Sequence, residues 1–387
     1  ALGTEESPLR VRVLSRLAME LYWSNDAARR ATLSQEAIAS ARQMDDPIAL
    51  AAALNARHVV LQEPGNVEER LAIATEMMRL ARKVDDKELT LRGHMWRLTD
   101  LLELGDLPTA DREIVVYAQR AEELQQPSYL WFLAVWNSTR MWLRGNFAEA
   151  RRFADEALQI GQRAQDPDAV QCFIAQVLGQ RAGVTQSSDI ELPVQNLADR
   201  YTALPVWRSA LALVYTDFGA LDEARREFDP LAANDFADLP QNEYWMITMS
   251  NLAQVSMNLG DFPRVMAAYA LLLPYAERCV VVKPALVCLG LVSRLLGRLA
   301  TMLGRWDEAE AHFIAALQGH KRMRAKPLIT LTQEQYATML LARNQPGDGE
   351  QGKRLLEEAF ASAQALGMDV VTKRILALRD KLTNHTL

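Results

Sequence analysis

The sequence predicts an all-α fold built from repeated pairs of helices, and three observations predict it. Boundary tripeptides fall at DDP (45–47), DDK (85–87), QQP (125–127) and QDP (165–167), each 40 residues after the last. A second marker, usually glycine, lies half a beat away: Gly65, Gly105 and Gly145 are 40 apart, and Gly183, Gly219, Gly260, Gly304 and Gly347 follow at 36 to 44. Asn25 extends this series backwards by 40 residues. Between the markers, apolar residues recur every three or four positions, the period of an amphipathic helix. Strand signals are nearly absent, and CVVV at 279–282 is too short to outweigh the helical segments around it.

Read in order, the markers divide the chain into nine units at approximately 8–45, 46–85, 86–125, 126–165, 166–203, 204–239, 240–281, 282–325 and 326–381. The first helix of a unit is exemplified by ALAAALNARHVVL (49–61) and TLRGHMWRLTDLLEL (90–104), the second by ARRFADEALQIGQRA (150–164). Glycine stops the first helix because it enters the left-handed region cheaply. Asp, Gln and Pro mark the other boundary, where proline suits a first helical turn and not an interior. Counting from the glycine, position +2 is bulky (Leu107, Phe147, Leu221, Phe262, Trp306) and +5 is small (Ala110, Ala150, Ala224, Ala309, with Val265 the exception). Position +9 is large (Ile114, Phe228, Tyr269, Phe313) and +12 apolar (Tyr117, Ala157, Leu231, Leu272, Ala316). A small residue at +5 lets two helix backbones approach, and the residues at +2 and +9 are expected to fill the gap to neighbouring helices. One helix pair cannot bury that surface, so successive pairs must stack.

LGRWDEAEAHFIAAL (303–317), LRGNFAEARRFADEAL (143–158) and FGALDEARREF (218–228) resemble tetratricopeptide repeats, with units near 40 residues in place of about 34. The resemblance implies a right-handed α-α superhelix of about nine pairs, a single solenoid over 1–387. SPLRVRVLSRLAMELYWS (7–24) and the stretch 303–369 are further similar to the C-terminal helical region of large bacterial signalling ATPases. These are LuxR-type and STAND regulators and their adenylate cyclase- or kinase-linked relatives. Neither the ATPase nor the helix-turn-helix of such proteins is recognisable in these residues. The first residue is alanine, and the chain is expected to be part of a longer protein.

Composition sets outer limits. Of 387 residues, 49% are hydrophobic and 24% charged, with a formal net charge of −6, as in an ordinary folded protein. The 43 basic residues are scattered, without the basic stripe that a phosphodiester backbone requires, so no nucleic-acid partner is expected. No apolar run is long enough for a membrane span, and no membrane partner is expected. Cys172, Cys279 and Cys288 lie at no metal or redox spacing, which suits buried thiols in a reducing cytoplasm.

Catalytic patterns fare poorly. PGDGEQGKR (346–354) matches both G-x-x-x-x-G-K and G-x-G-x-x-G, yet QEQYATMLLAR (333–343) before it reads as helix. Arg354 stands where a phosphate loop needs Ser or Thr, and Asp348 and Glu350 place negative charge at the phosphate position. A nucleotide activity through Lys353 is therefore the weakest reading, and Gly347 and Gly352 instead fall in register as turn marker and +5 residue. Glu308 and His312 lie one turn apart without a converging third ligand, and read as a solvated pair. HKRMRAK (320–326) reads as a basic helix C-terminus. Trp131, Phe132, Trp136 and Trp142, with Trp96 one unit earlier, read as core rather than as a cofactor box. No G-x-S-x-G, H-E-x-x-H or EF-hand pattern occurs, and no enzyme activity, metal or cofactor is expected of these residues.

A binding surface is expected instead. In tetratricopeptide superhelices the first helix of each unit lines the concave face. Carried over unit by unit, the groove positions fall on Arg92, Thr99, Glu103, Thr139, Trp142, Gln180, Arg181, Ser209, Asp217, Gln254, Asn258, Arg294 and Arg298. The resemblance implies a cytoplasmic, non-catalytic sensor or interaction region that binds a protein, peptide or small effector and transmits to an attached domain. The alternative is a stand-alone scaffold that assembles other proteins.

Overall fold

Left-handed backbone stops recur at the sequence markers. In the computed structural model, which describes residues 7–23, 26–181, 184 and 188–384, Asp45, Asp85, Gln125 and Gln165 all adopt φ between 49° and 54°. Gly65, Gly105, Gly145, Gly219, Gly260, Gly304 and Gly347 all have positive φ as well. The markers Asn25 and Gly183 lie outside the described residues. After the first kind of stop, an aspartate often caps the next helix: Asp46 accepts the N–H groups of Ile48 and Ala49, and Asp86 that of Leu89.

The fold is all-α, with helices packed in consecutive pairs, and the chain divides into two compact units. The first, Ala1–Leu102 with Pro108–Gln126, is made from α1 (Pro8–Glu20), α2 (Ala27–Gln43), α3 (Pro47–Val60), α4 (Val67–Lys83), and all but the end residues Glu103 and Leu107 of α5 (Lys87–Glu103) and α6 (Leu107–Leu124). Here α1, α2 and α3 pack on one another around Val11, Leu14, Ala37, Ala41, Ala49 and Ala53. A second cluster, with Leu54, Ile73, Met77 and Leu80, lies between α3 and α4. A polar network is sealed in the same unit. His58 Nε2 donates to Asp100 Oδ2 at 2.8 Å and Arg70 Nε to Asp100 Oδ1 at 2.8 Å, with all three side chains fully buried. The Gln62 amide contacts His58 Nδ1 at 3.0 Å, which leaves Nε2 as the protonated nitrogen.

The second unit, Glu103–Leu107 with Pro127–Leu387, carries α7 (Pro127–Arg144), α8 (Phe147–Arg163), α9 (Ala169–Gln180), α10 (Glu191–Arg200), α11 (Pro205–Asp217) and α12 (Leu221–Leu231). There follow α13 (Trp245–Leu259), α14 (Phe262–Leu272), β1 (Cys279–Val282), β2 (Val287–Leu291), α15 (Val292–Met302), α16 (Trp306–Arg322), α17 (Lys326–Arg343), α18 (Asp348–Leu366) and α19 (Asp369–Asn384). Within this unit the array bends until α17 touches α7. The small residues at +5 are fully buried, as are Phe228 and Phe313 at +9.

Two expectations need correction. Phe262 and Leu221, at +2, are 55% and 46% exposed. These two do not fill an interhelical gap, whereas Leu107 at the same position is buried and Phe147 and Trp306 are half-buried, so the expectation for +2 holds in some pairs and not in others. The second correction concerns CVVV. It is strand β1, paired antiparallel with VCLGL in β2 through Val281–Cys288 and Val282–Val287. A run of β-branched residues that is buried suits a strand even at four residues, and here a second strand follows within reach.

Candidate functional site

The second unit encloses a cavity of about 580 Å³. The helices that line it are the odd-numbered α7, α9, α11, α13, α15, α17 and α19, the first members of successive pairs, together with the hairpin and the turn before α9. The second members cover the outside. One apolar wall is aromatic, with Trp131, Phe132 and Trp142 of α7 facing the cavity beside Trp207 of α11 and Tyr244 before α13. The tryptophans are nonetheless buried, so they serve as core and as wall together.

The hairpin closes part of the cavity through Val282, Lys283, Pro284, Leu286, Val287 and Leu289. Side chains from several elements hold it. Thr139 Oγ1 donates to the Leu286 carbonyl at 2.6 Å, Gln176 Nε2 to the same oxygen at 3.1 Å, and Trp136 Nε1 to the Pro284 carbonyl at 2.9 Å. Lys283 pairs with Glu103 at 3.4 Å, both side chains being buried. From α16, His320 Nε2 accepts the Leu291 N–H at 3.0 Å, and its Nδ1–H meets Thr332 Oγ1 at 2.9 Å. That fixes the tautomer, because Nε2 must be unprotonated to accept. Burial, with the nearby Arg294 charge adding to it, pulls the His320 pKa down to about 3.

Polar residues reach the cavity from one face of each lining helix, one turn apart: Gln254 and Asn258 on α13, Arg294 and Arg298 on α15. Arg298 Nη1 donates to Gln254 Oε1 at 3.3 Å, and Asn258 Nδ2 to Thr216 Oγ1 at 2.9 Å. Arg294 donates to Gln335 Oε1 at 3.2 Å and to the Leu289 carbonyl at 3.4 Å, while its buried Nε has no partner among the described residues. Arg181, after α9, stands 3.5 Å from Asp217 and over the Phe218 ring. Arg374 of α19 forks onto Glu334 with two bonds of 3.1 Å.

The charges here are poorly compensated. Burial, then repulsion by Arg298, pulls the Arg294 pKa down to about 10, with Glu334 opposing. Burial lowers that of Arg298 too, and Arg374 adds to the effect. Burial also raises the Asp217 pKa, against the pull of Arg181, Arg298 and Arg374.

Of the residues expected to form a groove, the structure therefore gathers Trp142, Arg181, Asp217, Gln254, Asn258, Arg294 and Arg298 around one cavity. The others lie elsewhere. Arg92, exposed, and Thr99, fully buried, belong to the first unit. Glu103 and Thr139 hold the hairpin, Gln180 bonds Ser138 Oγ at 2.8 Å, and Ser209 is sealed against the Val206 carbonyl. Trp207, Asn251, Gln335 and Arg374 also line the cavity and were not expected. Asn251 lies one turn before Gln254 on the same face of α13, which the helical period could have revealed; Arg374 lies beyond the last turn glycine.

The remaining candidates have local explanations. PGDGEQGKR joins two helices: Asp348 binds Arg343 with bonds of 2.9 and 2.8 Å and accepts the Gln345 N–H, and Lys353 is exposed. A Cβ on Gly352 would come within 3.1 Å of Leu341, so Gly352 marks a close approach of α18 to α17. Tyr269 of α14 bonds both Glu308 (2.6 Å) and His312 (3.0 Å), so that pair belongs to an interhelical contact. In HKRMRAK, Lys321 and Arg322 are exposed in the last turn of α16, while His320 is buried. Cys279 and Cys288 are buried, whereas Cys172 lines the cavity, its thiol pushed up to about 12 mainly by burial. Among the described residues no helix is long and apolar enough to cross a membrane.

Comparison with known proteins gives limited likenesses. Residues 295–323, from α15 into α16, match the tetratricopeptide repeat family. Two solved structures are similar across nearly the whole chain. A Rap protein complexed with competence and sporulation factor is 11% identical, with 97% of this chain and 99% of that one covered and a TM-score of 0.44. Yeast Tom70 is 10% identical, with 97% and 89% covered and a TM-score of 0.34. No curated protein matches the sequence.

Proposed function

We propose that this chain is the non-catalytic sensor or interaction region of a larger bacterial signalling or transcription regulator, working in the cytoplasm. Its ligand, a protein segment, peptide or small effector, binds in the cavity of the second unit. A tetratricopeptide-like arrangement of helices is one for protein–protein interaction, which sets the class of function. One observation carries the reading further: the cavity draws its walls from the first helix of successive pairs. A ligand there touches many helices at once, so its binding energy acts on their mutual spacing and biases a conformational equilibrium that an attached ATPase or effector domain can read.

Thermal unfolding of the full chain across a library of peptides and metabolites tests this. A true ligand at about a hundredfold over its Kd stabilises by about 2.7 kcal/mol, and the gain should disappear in the Gln254→Ala/Asn258→Ala variant. A library that yields only hits insensitive to those two residues removes the reading.

A further inference from the structure

The second unit uses its buried charge unevenly. Arg374 and Glu334 neutralise each other, and Lys283 is matched by Glu103. On α15, however, neither Arg294 nor Arg298 has a carboxylate within ion-pairing distance among the described residues. They share one helix face, four residues apart, and border the same cavity. Besides the paired Arg374, three guanidiniums (Arg181, Arg294, Arg298) line this space, with the carboxylate of Asp217 3.5 Å from Arg181. Asp166 and Asp168 also border the cavity, and like Asp217 they are exposed to solvent. Buried like charges placed side by side destabilise a fold unless something compensates them. Here two donors of Arg294 are satisfied by neutral oxygens, and its buried Nε has no partner among the described residues.

We infer that the cavity is a site for an amphipathic organic carboxylate, whose head group is held by Arg294 and Arg298 and whose apolar body lies against Trp142 and Trp207. The inference rests on the cavity being the ligand site. Guanidinium forks match the planar, two-oxygen geometry of a carboxylate. Gln254 and Gln335 already hold the two arginines in place, so little side-chain freedom is lost on binding. A volume of about 580 Å³ fits a molecule of metabolite size. The same chemistry is offered by a free small acid and by the C-terminus of a short peptide.

The arrangement has a consequence for the empty protein. Removing Arg294 removes a poorly solvated charge and its repulsion with Arg298. Arg294→Met should therefore raise the melting temperature of the unliganded chain while weakening carboxylate binding. A residue with only a structural role would show the opposite sign of stability change.

The direct test is calorimetry on the full chain with 4-phenylbutyrate, 2-naphthoate and octanoate, each against its matched alcohol. Short peptides with free and amidated C-termini form a second arm. Each acid should bind at least tenfold more tightly than its alcohol, and in Arg294→Gln/Arg298→Gln the ratio should fall to within about twofold. Asp217→Asn, which removes the competing carboxylate, should strengthen acid binding several-fold and covers the case in which the double variant does not fold. Peptides preferred over the acids, with affinity lost on amidation, would assign the carboxylate to a peptide end. Alcohols binding as well as acids would overturn the carboxylate inference and leave the cavity as a ligand site. Failure of acids, alcohols and peptides alike would overturn both.

Discussion

Individual residues show how this chain manages buried charge. In the first unit Asp100 takes one bond each from His58 and Arg70, with every partner sealed from water. Asp100→Ala would break the buried ion pair of Arg70 Nε and the bond of His58, at a cost of about 3–5 kcal/mol. Chemical denaturation should show that loss. His320 makes a second test, through pH. Its folded pKa, about 3, lies below the ordinary 6.5, so the unfolded chain takes up the proton first. The stabilisation is complete above pH 6.5 and is lost as pH falls towards 3, by about 1.4 kcal/mol per unit. His320→Gln can still accept from Leu291 and donate to Thr332 without titrating. Between pH 6.5 and 4 the wild type should therefore lose about 3 kcal/mol more than this variant. Neither residue was visible as special in the sequence, because nothing local to LTDLL or LQGHKR reveals partners that lie 12 to 42 residues away.

Among the elements, the helices and their stops were legible, and the hairpin was not. A left-handed stop admits few residue types, so Gly105, Gly145, Gly260 and Gly304 announce it by identity alone. Fully buried Ala110, Ala150 and Ala309 were likewise readable, since only a small side chain allows the approach. The hairpin at 279–291 replaces the expected start of a helix and has no second copy among the described residues, so a periodic pattern cannot find it. Its seat depends on Gly290, where φ is +83° and a Cβ would stand 2.5 Å from His320 Nε2 and 2.7 Å from Leu328. Gly290→Ala should destabilise the protein by more than about 1 kcal/mol, since the side chain is both strained and obstructed. The same variant should weaken any ligand of the cavity that the hairpin helps to close. Calorimetric melting and ligand titration of Gly290→Ala measure the two effects separately, and unchanged stability would contradict the role given to this glycine.

At the scale of the whole molecule, a repeated helix pair explains both the fold and the location of the site. In the second unit the first helices of successive pairs line the cavity, so polar residues on them converge without being near in sequence. That convergence was partly legible: Gln254, Asn258, Arg294 and Arg298 were assigned to a groove from their positions before turn glycines, and all four border one cavity. Glu103 and Thr139 occupy equivalent positions but hold the hairpin, a partner the repeat does not encode. The central claim is that ligands enter this inner layer of the second unit. Hydrogen–deuterium exchange of the full chain, with and without saturating 4-phenylbutyrate, tests it most directly. Added protection should map to the hairpin, α13, α15 and the start of α17, with the first unit unchanged. Protection confined to α8, α12, α14 or α16, or to the first unit, would contradict it.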